Sequence, residues 1–389
     1  MGRVGEAGPV TTDRRKTDVL MFGLRTVGSG QGGVENHVDN LVRELDELGL
    51  SVLVVIRSSY GSEPWVRGRA TRFVPIWSPR GEYLEAVVHS LLASLYAIIV
   101  RPRIVHVHAI GPSLMVPLLR LAGLKVVTTH HGEDYNREKW GLVASAALRL
   151  GEYCQARFAN ARLCVSRSLA KRLQSKFDSP FAYVPNGVRP MQPVPDTDQL
   201  ARFGLLPGEY VLTVSRLVPE KRHLDLIAAF DGLQRPDLRL AIVGGADYET
   251  PYSRSVQEHA SAVPNVIMTG LLTGTALQQM FSHAGVFALP STHEGLPIAL
   301  LEAMAFHRNV VASDIAPNLD IGLPIECYHK VGDIEDLRCK LEAALLNDSY
   351  AHVGRDWSSL LADFDWTAIA RKTMEFYVNV SPAIKSVIQ

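Results

Sequence analysis

The chain has 389 residues, 47% of them hydrophobic and 21% charged, and its 40 Lys/Arg balance 40 Asp/Glu. This composition excludes a disordered or fibrous chain, and at about 100–200 residues per domain it implies two domains. A membrane-spanning helix needs about 18 or more apolar residues. Ala86–Val100 and Ile104–Leu119 come nearest, and His89, His106, His108 and two prolines interrupt them.

The zero net charge hides an asymmetry. Residues 1–190 carry 25 Lys/Arg and 16 Asp/Glu, a net of +9, and residues 191–389 carry 15 and 24, a net of −9. A basic first half could favour a phosphorylated ligand or an anionic membrane surface. The alternative is chance plus attraction between the halves. Met1–Lys16 lacks an apolar stretch and is expected to be a loose tail, not a secretory signal. Cys154, Cys164, Cys327 and Cys339 form no metal-ligand spacing and read as small core residues in a reducing cytosol.

In chain order, strands are expected at Asp18–Gly23, Ser51–Arg57, Arg103–His108, Lys125–Thr129, Arg162–Val165 and Ala182–Val184. Helical segments such as Val34–Leu48 and Glu82–Val100 lie between them. The second half repeats the alternation, with strands at Tyr210–Val214, Arg239–Val243, Val266–Thr269, Val286–Leu289 and Val310–Ala312. Strands separated by helices imply parallel sheets built from βαβ units, and near-continuous apolar strands fit sheets covered on both faces. Pro185–Pro195 holds four prolines, which stop helix and strand alike, and is the expected interdomain linker.

Three segments could carry chemistry. After the first strand, Gly28, Gly30 and Gly33 match GxGxxG, with Gly32 between them, ahead of a helix. Glycines and a helix N-terminus suit a phosphate. A dinucleotide site also needs an acid at the end of the second strand, where this chain has Arg57. An NADP-linked oxidoreductase therefore stands as an alternative, beside a structural glycine turn.

In the second half, Arg216 and Lys221 follow a strand and open a helix, where two cations suit a diphosphate. Glu294, Gly295, Leu296 and Pro297 follow another strand, with Glu302 further into the helix that Pro297 is expected to start. Backbone N–H groups there face a crevice, and ionised carboxylates accept several hydrogen bonds from sugar hydroxyls. In the first half, His130, His131, Gly132 and Asp134 follow a strand and could offer imidazole or carboxylate to a ligand. The tandem His106 and His108 look like a metal pair, but no Cys or carboxylate completes the set, so a structural role at the strand end is expected.

The pieces GQGGVENHV, IVHVHAIGPSL, VTTHHGEDY, LCVSRSLA, VPNGV, LTVSRLVPEKRHLDLIAAF, LAIVGG, VIMTG and ALPSTHEGLPIALLEAMA run in order along nearly the whole chain. In this ordered set the chain resembles the retaining GT-B glycosyltransferases of family 4, in particular the bacterial polysaccharide-assembly type. The resemblance implies two Rossmann-like doubly wound domains facing across a cleft. An acceptor domain would cover residues 1–190 and a donor domain 191–365, with a final crossover helix, 366–389, on the first.

It also implies roles. Arg216 and Lys221 would hold the donor diphosphate, Glu302 the ribose, and Glu294 with Gly295, Leu296 and Pro297 the transferred sugar and phosphate. Met268 and Gly270 would border the base. His131 would contact the sugar, and Gly32, Gly33 and Asp134 would line the acceptor or phosphate side. No metal or other cofactor is implied. The donor would be a UDP-sugar, or second a GDP-sugar, and the acceptor a glycan or lipid-linked glycan. No nucleic acid is expected, and the protein would be cytoplasmic, its basic first half touching the inner face of the cell membrane. A non-catalytic nucleotide-sugar binder is a further alternative. The chain departs from the family at Arg222, where Gly is common, at Arg189, and at Phe306-His307-Arg308-Asn309, where Cys-Gly-x-Pro is common.

Overall fold

The computed structural model describes residues 17–28, 32–60, 70–79, 81, 84–133, 135, 141–246, 248–346 and 355–387. The first sheet has seven parallel strands: β1 (Val19–Phe22), β2 (Val52–Arg57), β3 (Arg72–Ile76), β4 (Ile104–His108), β5 (Val126–His130), β6 (Ala161–Cys164) and β7 (Ala182–Tyr183). Their order is β3-β2-β1-β4-β5-β6-β7. The second has six: β8 (Tyr210–Val214), β9 (Arg239–Val243), β10 (Val266–Gly270), β11 (Val286–Leu289), β12 (Asn309–Ser313) and β13 (Tyr328–His329), in the order β10-β9-β8-β11-β12-β13. The chain thus forms two Rossmann-like parallel sheets. Each reverses its strand order at one point, β1/β4 and β8/β11, and ligands of such sheets bind beyond the strands' carboxyl ends there.

The central strands are buried along their whole length, as their apolar runs dictate: VLMF in β1, VLVVIR in β2 and VFAL in β11. Two strands have no counterpart among the expected ones. β3 is a partly exposed edge strand containing Pro75, a residue tolerated at an edge because its missing N–H faces away from the ladder. β13 is two residues long.

The helices of the first unit are α1 (Gly33–Glu47), α2 (Leu84–Val100), α3 (Val116–Leu121), α4 (Leu142–Phe158) and α5 (Arg167–Phe177). Those that follow are α6 (Asp198–Arg202), α7 (His223–Asp231), α8 (Pro251–Ala262), α9 (Gly274–His283), α10 (Ile298–Ala305), α11 (Ala316–Leu319), α12 (Ile334–Leu346), α13 (Ser358–Leu361) and α14 (Trp366–Val380). On the first sheet, α2 and α3 pack against Leu20, Phe22, Val55 and Val107 on one face. α1 packs against Val19, Met21, Val52 and Val54 on the other.

The last helix returns to that second face. Trp366, Ile369, Ala370 and Tyr377 of α14 join Val38, Leu41 and Leu45 of α1 in one core, and the Tyr377 hydroxyl meets His106 Nδ1 at 2.7 Å. Asp365 starts α14 by accepting from Ala368 N at 2.9 Å. The outgoing and returning chains touch where they cross, with Val188 N donating to Phe364 O at 2.9 Å. If α14 completes the first core, Trp366→Ala lowers stability by about 3–5 kcal/mol. Urea unfolding measures this, and a loss under about 1 kcal/mol would place α14 outside that core.

Candidate active site

A cleft of about 580 Å³ lies between the carboxyl edges of the two sheets. Gly32, Gly33 and Asn36 at the start of α1, His131 after β5 and Asn186 after β7 line it from the first unit. From the second come Arg216 and Lys221 after β8, Leu271–Gly274 after β10, Glu294–Pro297 after β11, and Glu302 on α10. The β8 and β11 groups flank the strand-order reversal of the second sheet.

The two walls touch. A Cβ built on Gly295 would overlap the carbonyl oxygen of His131, so glycine is required for the walls to meet. Opposite it, Gly132 adopts φ +143°, and a Cβ there would lie 3.5 Å from Gly295 Cα. Polar groups bridge the gap as well. Asn186 Nδ2 donates to Leu296 O at 2.8 Å while its Oδ1 meets His37 Nδ1 at 2.9 Å. The Asn36 side chain hydrogen-bonds Glu302.

The charged groups of the second wall satisfy one another. Lys221 Nζ pairs with Glu294 Oε1 at 2.5 Å, with side chains 18% and 9% exposed. Burial pushes the Glu302 carboxyl up to about 7, against the hydrogen bond from Asn36 that favours its ionised form. On the first wall burial does the reverse to imidazoles. It holds His37 down to about 4, against the bond to Asn186 that favours the charged form. His131 lies well below the ordinary histidine value through burial first, then through His37 and other neighbouring imidazoles. His131 is therefore a neutral hydrogen-bonding group at neutral pH.

Several expected groups stand elsewhere. Met268 packs into the apolar layer beside β9, and Gly270 O accepts from Gly244 N at 2.9 Å. Neither lines the cleft, because β10 is an edge strand that stops short of it. Leu271–Gly274, the next residues, line it instead. Pro297 caps α10 one residue before its first turn. Arg222 pairs with Asp225 at 2.7 Å and is not a lining residue. Arg57, the cation that an NADP phosphate would need, is buried against Glu85 at 3.4 Å. Gly30 and Asp134 lie outside the described residues.

The histidines divide. His130 is buried, with Nε2 3.2 Å from Glu152, and His106 sits between Tyr377 and Thr129. His108 Nδ1 lies 3.1 Å from His131 Nε2, and one ring nitrogen each of His37, His108 and His131 falls within 4.8 Å of the others. Three neutral imidazoles at that spacing have the chemistry to hold a divalent ion. His37, Asn36 and Asn186 were not singled out from sequence. The available signal was His37 itself, a polar residue on the apolar stripe Val38–Leu41–Val42–Leu45 of α1.

Two family models match the chain. One described as Glycosyltransferase Family 4 covers residues 31–192, and one described as Glycosyl transferases group 1 covers 202–353. The GDP-mannose-dependent alpha-(1-6)-phosphatidylinositol monomannoside mannosyltransferase of Mycolicibacterium smegmatis is 34% identical over 219 residues, 51% of this chain and 55% of that protein. The chain thus spans about half the length of that relative. The phosphatidyl-myo-inositol mannosyltransferase of Mycobacterium leprae is 28% identical over 366 residues, 90% of this chain and 94% of that one. In fold, the chain is similar to sucrose-phosphate synthase from Thermosynechococcus elongatus, with a TM-score of 0.78 at 20% identity over 95% of this chain and 100% of that one.

The ion pair on the second wall is testable without a ligand. Lys221→Met strands a nearly buried carboxylate and costs about 1–3 kcal/mol. Adding Glu294→Gln restores most of the loss. A double-mutant cycle by chemical denaturation reads the coupling, and additive losses would show that the pair contributes nothing.

Proposed function

The chain belongs to the glycosyltransferases, family 4 in its first half and group 1 in its second, and on that premise we propose that it moves a sugar from a nucleoside-diphosphate sugar to a lipid-linked or glycan acceptor. The observation that carries this is the convergence of Arg216, Lys221, Glu294 and Glu302 in one cleft facing His131 and the α1 N-terminus.

Each group has a task its environment suits. Arg216 and Lys221 hold the diphosphate, Lys221 releasing Glu294 as it does so. The N–H groups of Gly295 and Leu296, just ahead of α10, add partial positive charge. Glu302 accepts from the ribose hydroxyls in place of Asn36, and Glu294 accepts from the sugar. His131 hydrogen-bonds the sugar beside its reacting carbon. Residues 191–365 form the donor unit, and residues 1–190 with 366–389 the acceptor unit.

Transfer retains configuration by front-face displacement. The bond from the anomeric carbon to the phosphate oxygen breaks, the acceptor oxygen bonds that carbon from the same face, and the acceptor proton passes to the departing phosphate. Cations and backbone dipoles stabilise the leaving diphosphate, so no metal ion is required. The acceptor is a growing cell-surface glycan or glycolipid met at the cytoplasmic face of a membrane. The phosphatidylinositol acceptors in two relatives' names and the +9 charge of the first half support that reading. A UDP-sugar is the first expected donor and a GDP-sugar the second, and the GDP-mannose in one relative's name favours GDP.

Thermal shift with UDP, GDP and NADPH separates the donors. A ligand at 100 times its Kd adds about 2.7 kcal/mol of stability. NADPH alone stabilising the chain would overturn the proposal. Arg216→Ala lowers transfer about 10²–10³-fold, and unchanged transfer would remove Arg216 from the site.

The Glu302 task carries a pH signature. Ribose binds the ionised carboxylate, so binding releases a proton from a group that titrates at about 7. Nucleotide affinity therefore falls as pH drops below 7, by up to about tenfold per unit, and is level above it. Glu302→Gln removes that slope. The wild-type to variant ratio of Kd by calorimetry cancels the nucleotide's own titration, and a ratio constant with pH would sink the assignment.

A further inference from the structure

α2 is packed inside out. It buries Ser90, Ala93, Ser94 and Ala97 against the sheet and turns Leu84, Val87, Leu91, Leu95 and Ile99 to solvent. At about 100° per residue these five fall within about 120° of arc. Leu84 is 66% and Ile99 80% exposed. A helix of a water-soluble protein normally turns such a stripe to the core. Here the small residues face the sheet, and the buried serines bond back to Ala86 O and Ser90 O at 2.6 and 2.7 Å.

The apolar surface continues onto the neighbouring helices. α3 touches both α2 and α4. Leu121 at its end is 88% exposed, and Leu142 and Val143 at the start of α4 are 92% and 86% exposed. Exposed apolar side chains gathered on neighbouring helices in this way mark an interaction surface.

Its charge decides the partner. Among the described residues of 84–176 the carboxylates are Glu85, Glu133 and Glu152, and all three are buried. Among the described residues, the exposed charges on or beside these helices are the cations Arg101, Lys125, Arg149 and Arg157. Two copies meeting through this face would oppose like charges. An anionic bilayer takes both features: aliphatic side chains enter the boundary of the acyl layer and the cations stay at the phosphates. Among the described residues no helix is long and apolar enough to cross a membrane.

The geometry points to the outer face of α2, α3 and α4 as the surface by which the protein lies on an anionic lipid bilayer, held by apolar insertion. This rests on the membrane-side acceptor reading above and names the surface that serves it. α4 is the next helix after His131, so the inserted face and the acceptor side of the cleft lie close together in the sequence.

Co-sedimentation with vesicles of phosphatidylglycerol and phosphatidylcholine, against phosphatidylcholine alone, tests it. The variants are Leu91→Glu with Leu95→Glu, and Leu142→Glu with Val143→Glu. Ile325→Glu, at a 79% exposed position in the second unit, is the control. The wild type and the control bind the anionic vesicles and keep part of that binding in high salt. Each double variant binds at least about tenfold more weakly while its thermal stabilisation by nucleotide is unchanged. Double variants that bind like the wild type overturn this face and leave the membrane reading standing. A wild type that binds neither vesicle overturns both. A dimer in sedimentation velocity that the double variants split gives the face to a second copy and overturns the bilayer.

Discussion

The contact between Gly295 and the carbonyl of His131 sets the width of the cleft, and the rest of the site depends on that width. Two sheets with parallel strands each present one carboxyl edge, and a single small ligand bridges those edges only if the backbones come within contact distance. Glycine at 295 permits this. The polar bridges beside it differ in kind. Asn186 ties His37 to Leu296 O through buried groups, whereas Asn36 occupies the carboxylate that a ribose would claim. Under the proposed function the first bridge stays and the second is exchanged for ligand, so closure and recognition would compete for the same atoms of Glu302.

What could be read from the chain alone was what local chemistry determines. The apolar runs of β1, β2, β8 and β11, the proline-rich crossing at 185–195 and the spacing from Glu294 to Glu302 are all features of short segments. What escaped were contacts between distant segments. His37 meets Asn186 across 149 positions, and Asn186 meets Leu296 across 110. No local pattern marks such a pair. Met268 and Gly270 stand just ahead of the lining residues Leu271–Gly274 for a related reason. The strand pattern locates β10, but where an edge strand ends relative to the cleft is fixed by its neighbour β9. The helix around Glu82–Val100 was legible as a helix. Which side faces the sheet was not, because both sides are apolar enough.

The departures from the family pattern acquire a backbone meaning. Arg222 and His307 stand where glycine is common, and both have left-handed backbones, φ 53° and 60°. A side chain there costs about 1–2 kcal/mol relative to glycine. The local contacts offset part of it. Arg222 pairs with Asp225, and His307 lies between Met304 O, to which its N–H donates, and Arg355 N, which its carbonyl accepts. The chain thus holds a left-handed turn at both positions while carrying a side chain there.

The return of α14 to the first sheet has a consequence for biosynthesis. Trp366, Ile369, Ala370, Tyr377 and Ile384 belong to a core whose remaining buried members are translated before residue 60 and between 104 and 184. A ribosome must therefore finish the whole second sheet before the earlier sheet receives its last covering helix. Until then the nascent chain carries an uncovered hydrophobic groove over α1 and β1, with the buried His106 lacking its tyrosine. The segment made first is thus the segment completed last, and the interval between the two is when the nascent chain has most need of a chaperone.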